Sequence, residues 1–292
     1  MVIRPAFFYY IVSMVISASR RCDIPRFRLG WLTDRAEAGF VETINPFNAA
    51  QKKRISLKPE DVEFIVYWTR DPCNLAESPI LKKFPGFYIM ITLTNYPAIL
   101  EPDMPPADQV IRSMESLSQG FGSNRIVWRY DPIILTSVTD YKFHLKNFSD
   151  LASRLSGITE RVIVSIYDEY TGAIRRFNDL FQKNGLRVFP HYSPEKHLLL
   201  EITELVSQLF RIAADCGIEI QSCAEEQLSV QGIKKGACID GELIKKILGK
   251  DVSAVILERD KNQRPGCGCI AAADIGSYGV CPAGCVYCYA RR

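Results

Sequence analysis

Three cysteines near the end of the chain stand in the run Cys281-Pro282-Ala283-Gly284-Cys285-Val286-Tyr287-Cys288. Thiolates are soft ligands that select iron–sulfur clusters or zinc. Three of them with no fourth close behind suit a cluster that keeps one iron open, because a closed structural zinc site wants a fourth ligand nearby. A zinc knuckle, or thiols that merely pack, is the other reading of the same spacing.

A second constellation lies upstream: Cys223, Cys238, Cys267 and Cys269. Four thiols are the number for a complete auxiliary [4Fe–4S] cluster, with an all-cysteine zinc site second and inert buried cysteines third. Glycines in Gly266-Cys267-Gly268-Cys269 let the backbone approach inorganic sulfur closely. Of ten cysteines, seven fall in the last seventy residues. That crowding points to metal in a reducing cytoplasm rather than to a disulfide scaffold. Cys73 and Cys216 read as packing residues. His144, His191 and His197 lack an i, i+4 partner and read as surface or internally satisfied histidines.

The elements that must position these groups alternate. Apolar runs predict strands at residues 9–17, 40–44, 62–68, 86–93, 125–129, 161–167 and 218–222. Helical stripes lie between them: Phe143, Phe148, Leu151, Ala152 and Leu155; Ile174, Phe177, Leu180 and Phe181; and Leu198, Ile202, Leu205, Val206 and Leu209, with Ser193-Pro194 as the expected cap of the third. Such alternation predicts an α/β fold on a parallel sheet, and seven or so units favour a partial or full TIM-like (β/α) barrel. The whole chain, 1–292, reads as a single barrel domain with 217–292 as its cysteine-rich, cluster-binding region. Gly120-Phe121-Gly122-Ser123 lacks the lysine of a phosphate loop and reads as a connection.

Polar residues gather where the predicted strands end, the face on which a barrel binds ligands. Arg20 and Arg21 follow the first strand, Arg70 the third, and Arg129 closes the fifth. Guanidinium groups pair with carboxylate or phosphate, so these four are the expected contacts to an anionic small-molecule substrate. Tyr67, Trp68 and Tyr130 could offer a ring surface, although core packing is the commoner fate of such residues.

Certain segments resemble a known family. The CxxxCxxC run with an aromatic before its last cysteine is similar to the signature of radical S-adenosylmethionine (SAM) enzymes. Ser-Ala-Ser-Arg-Arg at 17–21, Asn45-Pro46-Phe47, Tyr67-Trp68-Thr69-Arg70-Asp71-Pro72, Trp128-Arg129-Tyr130-Asp131-Pro132 and residues 281–289 resemble the DUF1848 family, atypical radical SAM proteins with the cluster motif at the C-terminus. The resemblance implies a [4Fe–4S] cluster at Cys281, Cys285 and Cys288 whose fourth iron is chelated by SAM, with Tyr287 near the adenine. Cys22 stands where the family has threonine and is not counted as a ligand. In most radical SAM barrels the cysteine loop follows the first strand, so its place here implies a circularly permuted order. By that logic Ser17 and Ser19 would meet the SAM amino group.

At 47% hydrophobic, 24% charged and a formal net charge of +3, the chain can bury a sizeable core and gives no argument for nucleic-acid binding. No stretch is long and clean enough to span a membrane. The apolar run from Ala6 to Ile16 after Arg4 also has the look of a signal peptide, but a buried strand explains it as well. The expected activity is cleavage of SAM to a 5′-deoxyadenosyl radical that takes hydrogen from the substrate, with flavodoxin or ferredoxin as electron donor. An auxiliary cluster would transfer electrons or give up sulfur. An iron–sulfur electron carrier or redox sensor without SAM chemistry is the alternative.

Overall fold

A computed structural model describes residues 14–45, 48–249, 257–264 and 266–291. The predicted strand residues 9–13, most of the signal-like run, Pro46 and Phe47 lie outside them. The first half of the chain forms β1 (Met14–Ala18), α1 (Ile24–Phe27), α2 (Leu29–Ala38), β2 (Phe40–Asn45), β3 (Asn48–Ser56), β4 (Val62–Thr69), α3 (Cys73–Ala76), α4 (Ile80–Lys83), β5 (Phe87–Thr92) and α5 (Ala107–Phe121). Then come β6 (Ile126–Ile133), α6 (Tyr141–Leu155), β7 (Arg161–Ile166), α7 (Thr171–Asn184), α8 (Leu200–Asp215), β8 (Glu219–Cys223), β9 (Lys234–Gly236), α9 (Gly241–Leu248) and β10 (Ala273–Asp274).

Eight strands make one parallel sheet in the order β10-β1-β4-β5-β6-β7-β8-β9. From β4 to β9 spatial neighbours are successive strands, the order that repeated same-handed crossovers produce. The ladder runs from β10 at one edge to β9 at the other, and no pairing joins those edges among the described residues. The chain is thus α/β with a large parallel sheet.

Strands covered on both faces read as continuous apolar runs, and side-chain alternation sorts them. Ile65, Tyr67, Ile89, Ile91, Trp128 and Val164 pack with the apolar stripes of α5, α6 and α8. Their neighbours Phe64, Val66, Trp68, Tyr88, Met90, Val127 and Ile163 form a second cluster on the opposite face, closed by Leu243 and Ile244 of α9. That second face, called here the inner face, also holds Cys238, Cys267 and Cys269.

Two expectations need correction, and one helix is added. Residues 40–44 do form a strand, but it pairs with β3 in a separate antiparallel hairpin. The reason is burial: Val41 alone is buried, while Glu42 and Ile44 are exposed, and a strand inside the parallel sheet must be covered on both sides. Ser193-Pro194 does not cap the third helix. Ser193 N–H donates to His197 O at 2.7 Å in a turn, and α8 begins only at Leu200. The helix α5 carries Val110, Ile111, Met114 and Leu117 at helical spacing, a stripe missing from the sequence reading.

Candidate functional site

The C-terminal cysteine loop is placed by β10. This two-residue strand pairs in parallel with β1, Ile16 opposite Ala273 and Ser17 opposite Asp274, so the loop that follows it leaves at the C-terminal end of the sheet. Asp274 fastens the junction. It accepts from Ser17 Oγ at 2.8 Å, Ser19 Oγ at 2.6 Å, and the backbone N–H groups of Arg20 and Gly276, each at 3.0 Å. Gly276 is demanded by this approach, because a Cβ there would stand 2.0 Å from Ser19 Oγ. Ser17 and Ser19 are therefore brought to the root of the cysteine loop, with their hydroxyl protons committed to Asp274.

The loop itself is pinned from several sides. Val286 N–H donates to Leu100 O at 3.0 Å, and Arg176 of α7 donates to Val286 O at 2.7 Å and Cys288 O at 2.5 Å. Gly284, at φ +75°, lies against Pro102. Cys285 is buried, Cys281 and Cys288 partly so. Burial pushes the Cys285 thiol up to about 11, opposed by Arg70, with Cys281 and Cys288 close enough to add repulsion. Burial likewise raises Cys281, whose sulfur accepts from Asp23 N–H. Cys22 is buried nearby and accepts from Ser277 N–H.

Tyr287 does not lie open. Its ring packs edge-on against Tyr96 at 6.2 Å between centroids, and its hydroxyl accepts from Arg70 and donates to Glu101. Arg70 and Thr94 also donate to Glu101, at 2.8 and 2.5 Å. This buried network lines a cavity of about 250 Å³ beside the loop, shared with Thr92, Asn95 and Tyr96. Three thiols from one braced loop, within electrostatic reach of one another and of a guanidinium, fit thiolate ligation of a cluster.

The four upstream cysteines also meet. Cys223 ends β8 on the inner face and accepts from Cys238 Sγ at 3.5 Å. Cys269 neighbours Cys238, and Cys267 neighbours Cys269, within the same buried cluster. Donating to Cys223 holds Cys238 up at about 12, while receiving that bond pulls Cys223 down. Bonding to Cys238 holds Cys269 at about 11. Among the described residues, no three His, Cys, Asp or Glu side chains converge on a point that a single ion could occupy.

The four arginines come with their own carboxylates. Arg20 stands 3.6 Å from Asp260 and 4.0 Å from Asp274, Arg21 is 3.9 Å from Asp274, Arg70 is paired with Glu101, and Arg129 with Asp131. Their mutual repulsion is relieved inside the protein, so charge alone does not require an anion between them. Tyr67 and Tyr130 are fully buried and Trp68 lies on the inner face under Arg129. Asp274, Glu101 and Arg176 escaped the sequence reading. Asp and Glu in loops and Arg on a helix are ordinary surface residues until topology brings their partners, hundreds of positions away for Asp274, to them.

The family model described as "Domain of unknown function (DUF1848)" matches residues 15–290. The chain belongs to the DUF1848 family. No curated protein matches it. One solved structure, a pyruvate carboxylase variant from Rhizobium etli crystallized without acetyl coenzyme-A, is similar over 73% of this chain at 14% identity. Its TM-score of 0.23 carries no argument, and the chain spans only 24% of that protein's length. No helix among the described residues is long and apolar enough to cross a membrane.

Proposed function

We propose that this DUF1848 chain is a radical SAM enzyme, with Cys281, Cys285 and Cys288 holding a [4Fe–4S] cluster at the mouth of a (β/α) barrel whose cluster loop is circularly permuted. The observation that carries the reading is the parallel pairing of β10 with β1, which sets the cysteine loop at the C-terminal end of the sheet, where α/β folds collect ligands. When bound, the cluster and SAM supply one-electron cleavage of a sulfonium bond and a 5′-deoxyadenosyl radical.

The chain's own residues brace and shape the site. Arg176 fixes the carbonyls of Val286 and Cys288, and the Arg70–Glu101 pair fixes Tyr287, so the loop cannot shift without breaking partly buried charge-assisted hydrogen bonds. The cavity beside Tyr287 offers Thr92, Asn95 and the Arg70–Glu101 pair to a ligand with both polar and charged groups. Arg21, the most loosely paired of the four arginines, is the proposed contact to an anionic small-molecule substrate. A flavodoxin or ferredoxin is the proposed electron donor.

Anaerobically reconstituted protein is expected to form 5′-deoxyadenosine from SAM under dithionite, and the C281A/C285A/C288A variant to form none. Undiminished product from that variant overturns the assignment. A cluster in the wild-type chain without any SAM cleavage would favour an electron carrier instead.

A further inference from the structure

The inner face of the sheet carries a second, separate concentration of chemistry. Cys223 comes from the end of β8, Cys238 from the loop after β9, and Cys267 and Cys269 from the segment before β10, yet Cys238 Sγ lies 3.5 Å from Cys223 Sγ, and Cys238, Cys267 and Cys269 are buried in one apolar cluster with Cys223 packed against it. Nothing in their spacing along the sequence requires this, and three distant segments have been brought together to achieve it. Ile239 N–H already donates to Cys269 Sγ at 3.3 Å.

Cationic groups stand beside the thiols, each also paired with a carboxylate: Arg129 with Asp131, and Arg20 with Asp260 and Asp274. Arg129, on the same face through Val127, lies close enough to favour the thiolates of Cys223 and Cys238, and Arg20 does the same for Cys267. Trp68 shares the apolar cluster with Cys238, Cys267 and Cys269, with Arg129 5.0 Å above its ring. Trp68 is 7% exposed, and its Nε1–H has no hydrogen-bond partner, nor has Arg129 Nε. A buried donor left unpaired costs about 1–3 kcal/mol, so two beside a group of thiols call for an acceptor.

We propose that Cys223, Cys238, Cys267 and Cys269 ligate a second [4Fe–4S] cluster on the inner face, with Arg129 and Arg20 as its counter-charges and Trp68 Nε1–H as a donor to its sulfur. Four thiols are the complete ligand set of such a cluster, and zinc at the same cysteines is the competing occupant that the test separates. Ligation converts four thiols to thiolates, with the protons released to solvent, and the guanidinium groups offset the charge that remains. This centre does not depend on SAM chemistry at the C-terminal loop.

The test uses the full chain with C281A/C285A/C288A, which removes the other cysteine set, reconstituted anaerobically with iron and sulfide. It is expected to retain about four irons and as many sulfides per chain. Adding Cys238→Ser should remove them, while adding Cys216→Ser should leave them. Should C238S fail to fold by circular dichroism, Arg129→Gln and Trp68→Phe carry the test: each keeps the cluster but moves its midpoint potential, followed by electron paramagnetic resonance, to more negative values. Stoichiometric zinc without sulfide, no metal in the triple variant, or potentials unmoved in both R129Q and W68F overturns the proposal. Absence of SAM cleavage by the unaltered chain, with this iron retained in the triple variant, would fault only the reading of the C-terminal loop.

Discussion

His144 shows what a residue type alone conceals. The sequence marks it as no ligand; the fold shows why it is kept. Nε2 faces Ile134 O at 3.0 Å, and since a carbonyl only accepts, that nitrogen carries the proton. Nδ1 then accepts from Tyr130 Oη at 2.9 Å, and Asn147 donates to the same hydroxyl. Burial pushes the His144 pKa down to about 4, and His191, also buried, down to about 4. A histidine whose folded pKa is depressed stabilises the protein above its ordinary pKa of 6.5, and that stability is lost as pH falls from 6.5 toward 4, where the unfolded chain takes up the proton first. For His144 the loss amounts to about 3 kcal/mol. Asp23 and Glu225, raised by burial to about 6 and about 7, act in the opposite sense. The comparison must therefore be between variants. His144→Gln should flatten the fall in melting temperature between pH 6.5 and 4 relative to wild type, and an unchanged slope would mean that the ring titrates normally.

Elements were legible where burial on both faces wrote a continuous apolar run, as in β4, β5 and β7, and where a helical stripe was broad, as in α6. They were illegible where pairing rather than side-chain pattern makes the strand. β3 contains Gln51-Lys52-Lys53-Arg54, β9 is three residues long and β10 two, too short for any period to show. Yet β10 places the candidate site. Its docking is testable through glycine: Gly276→Ala puts a methyl into Ser19 and should cost about 1–3 kcal/mol by urea denaturation. Gly30, inside α2 with open space around its Cα, should tolerate alanine and gain a few tenths to about 1 kcal/mol. Equal midpoints for the two variants would show that β10 is not held against Ser19.

At the scale of the whole molecule, spatial order and chain order part company at one edge only. The last strand, β10, sits beside the first, β1, ahead of a run from β4 to β9 that otherwise follows the sequence. The motif resemblance located the cysteine loop at the end of the chain and implied a place for it beside the first strand, and the sheet supplies the pairing, β10 with β1, that brings the two together. If the junction is held by Asp274 and strand pairing rather than by chain order, the order can be changed. A permutant opened within residues 250–256, beginning at Leu257 and running from Arg292 through residues 1–13 into β1, keeps every strand pair of the sheet. Those thirteen residues reach about 45 Å when extended, ample to return from the top of the sheet to Met14 along a five-residue strand. The permutant should unfold cooperatively, with the far-ultraviolet circular dichroism of the native chain, because every described strand pair of the sheet, β10 with β1 included, is retained. If the loop holds the proposed cluster, the permutant should also keep iron at Cys281, Cys285 and Cys288, now in its first forty residues. A soluble permutant with native dichroism but no iron at that loop would mean that covalent order, and not the β10–β1 pairing, builds the site.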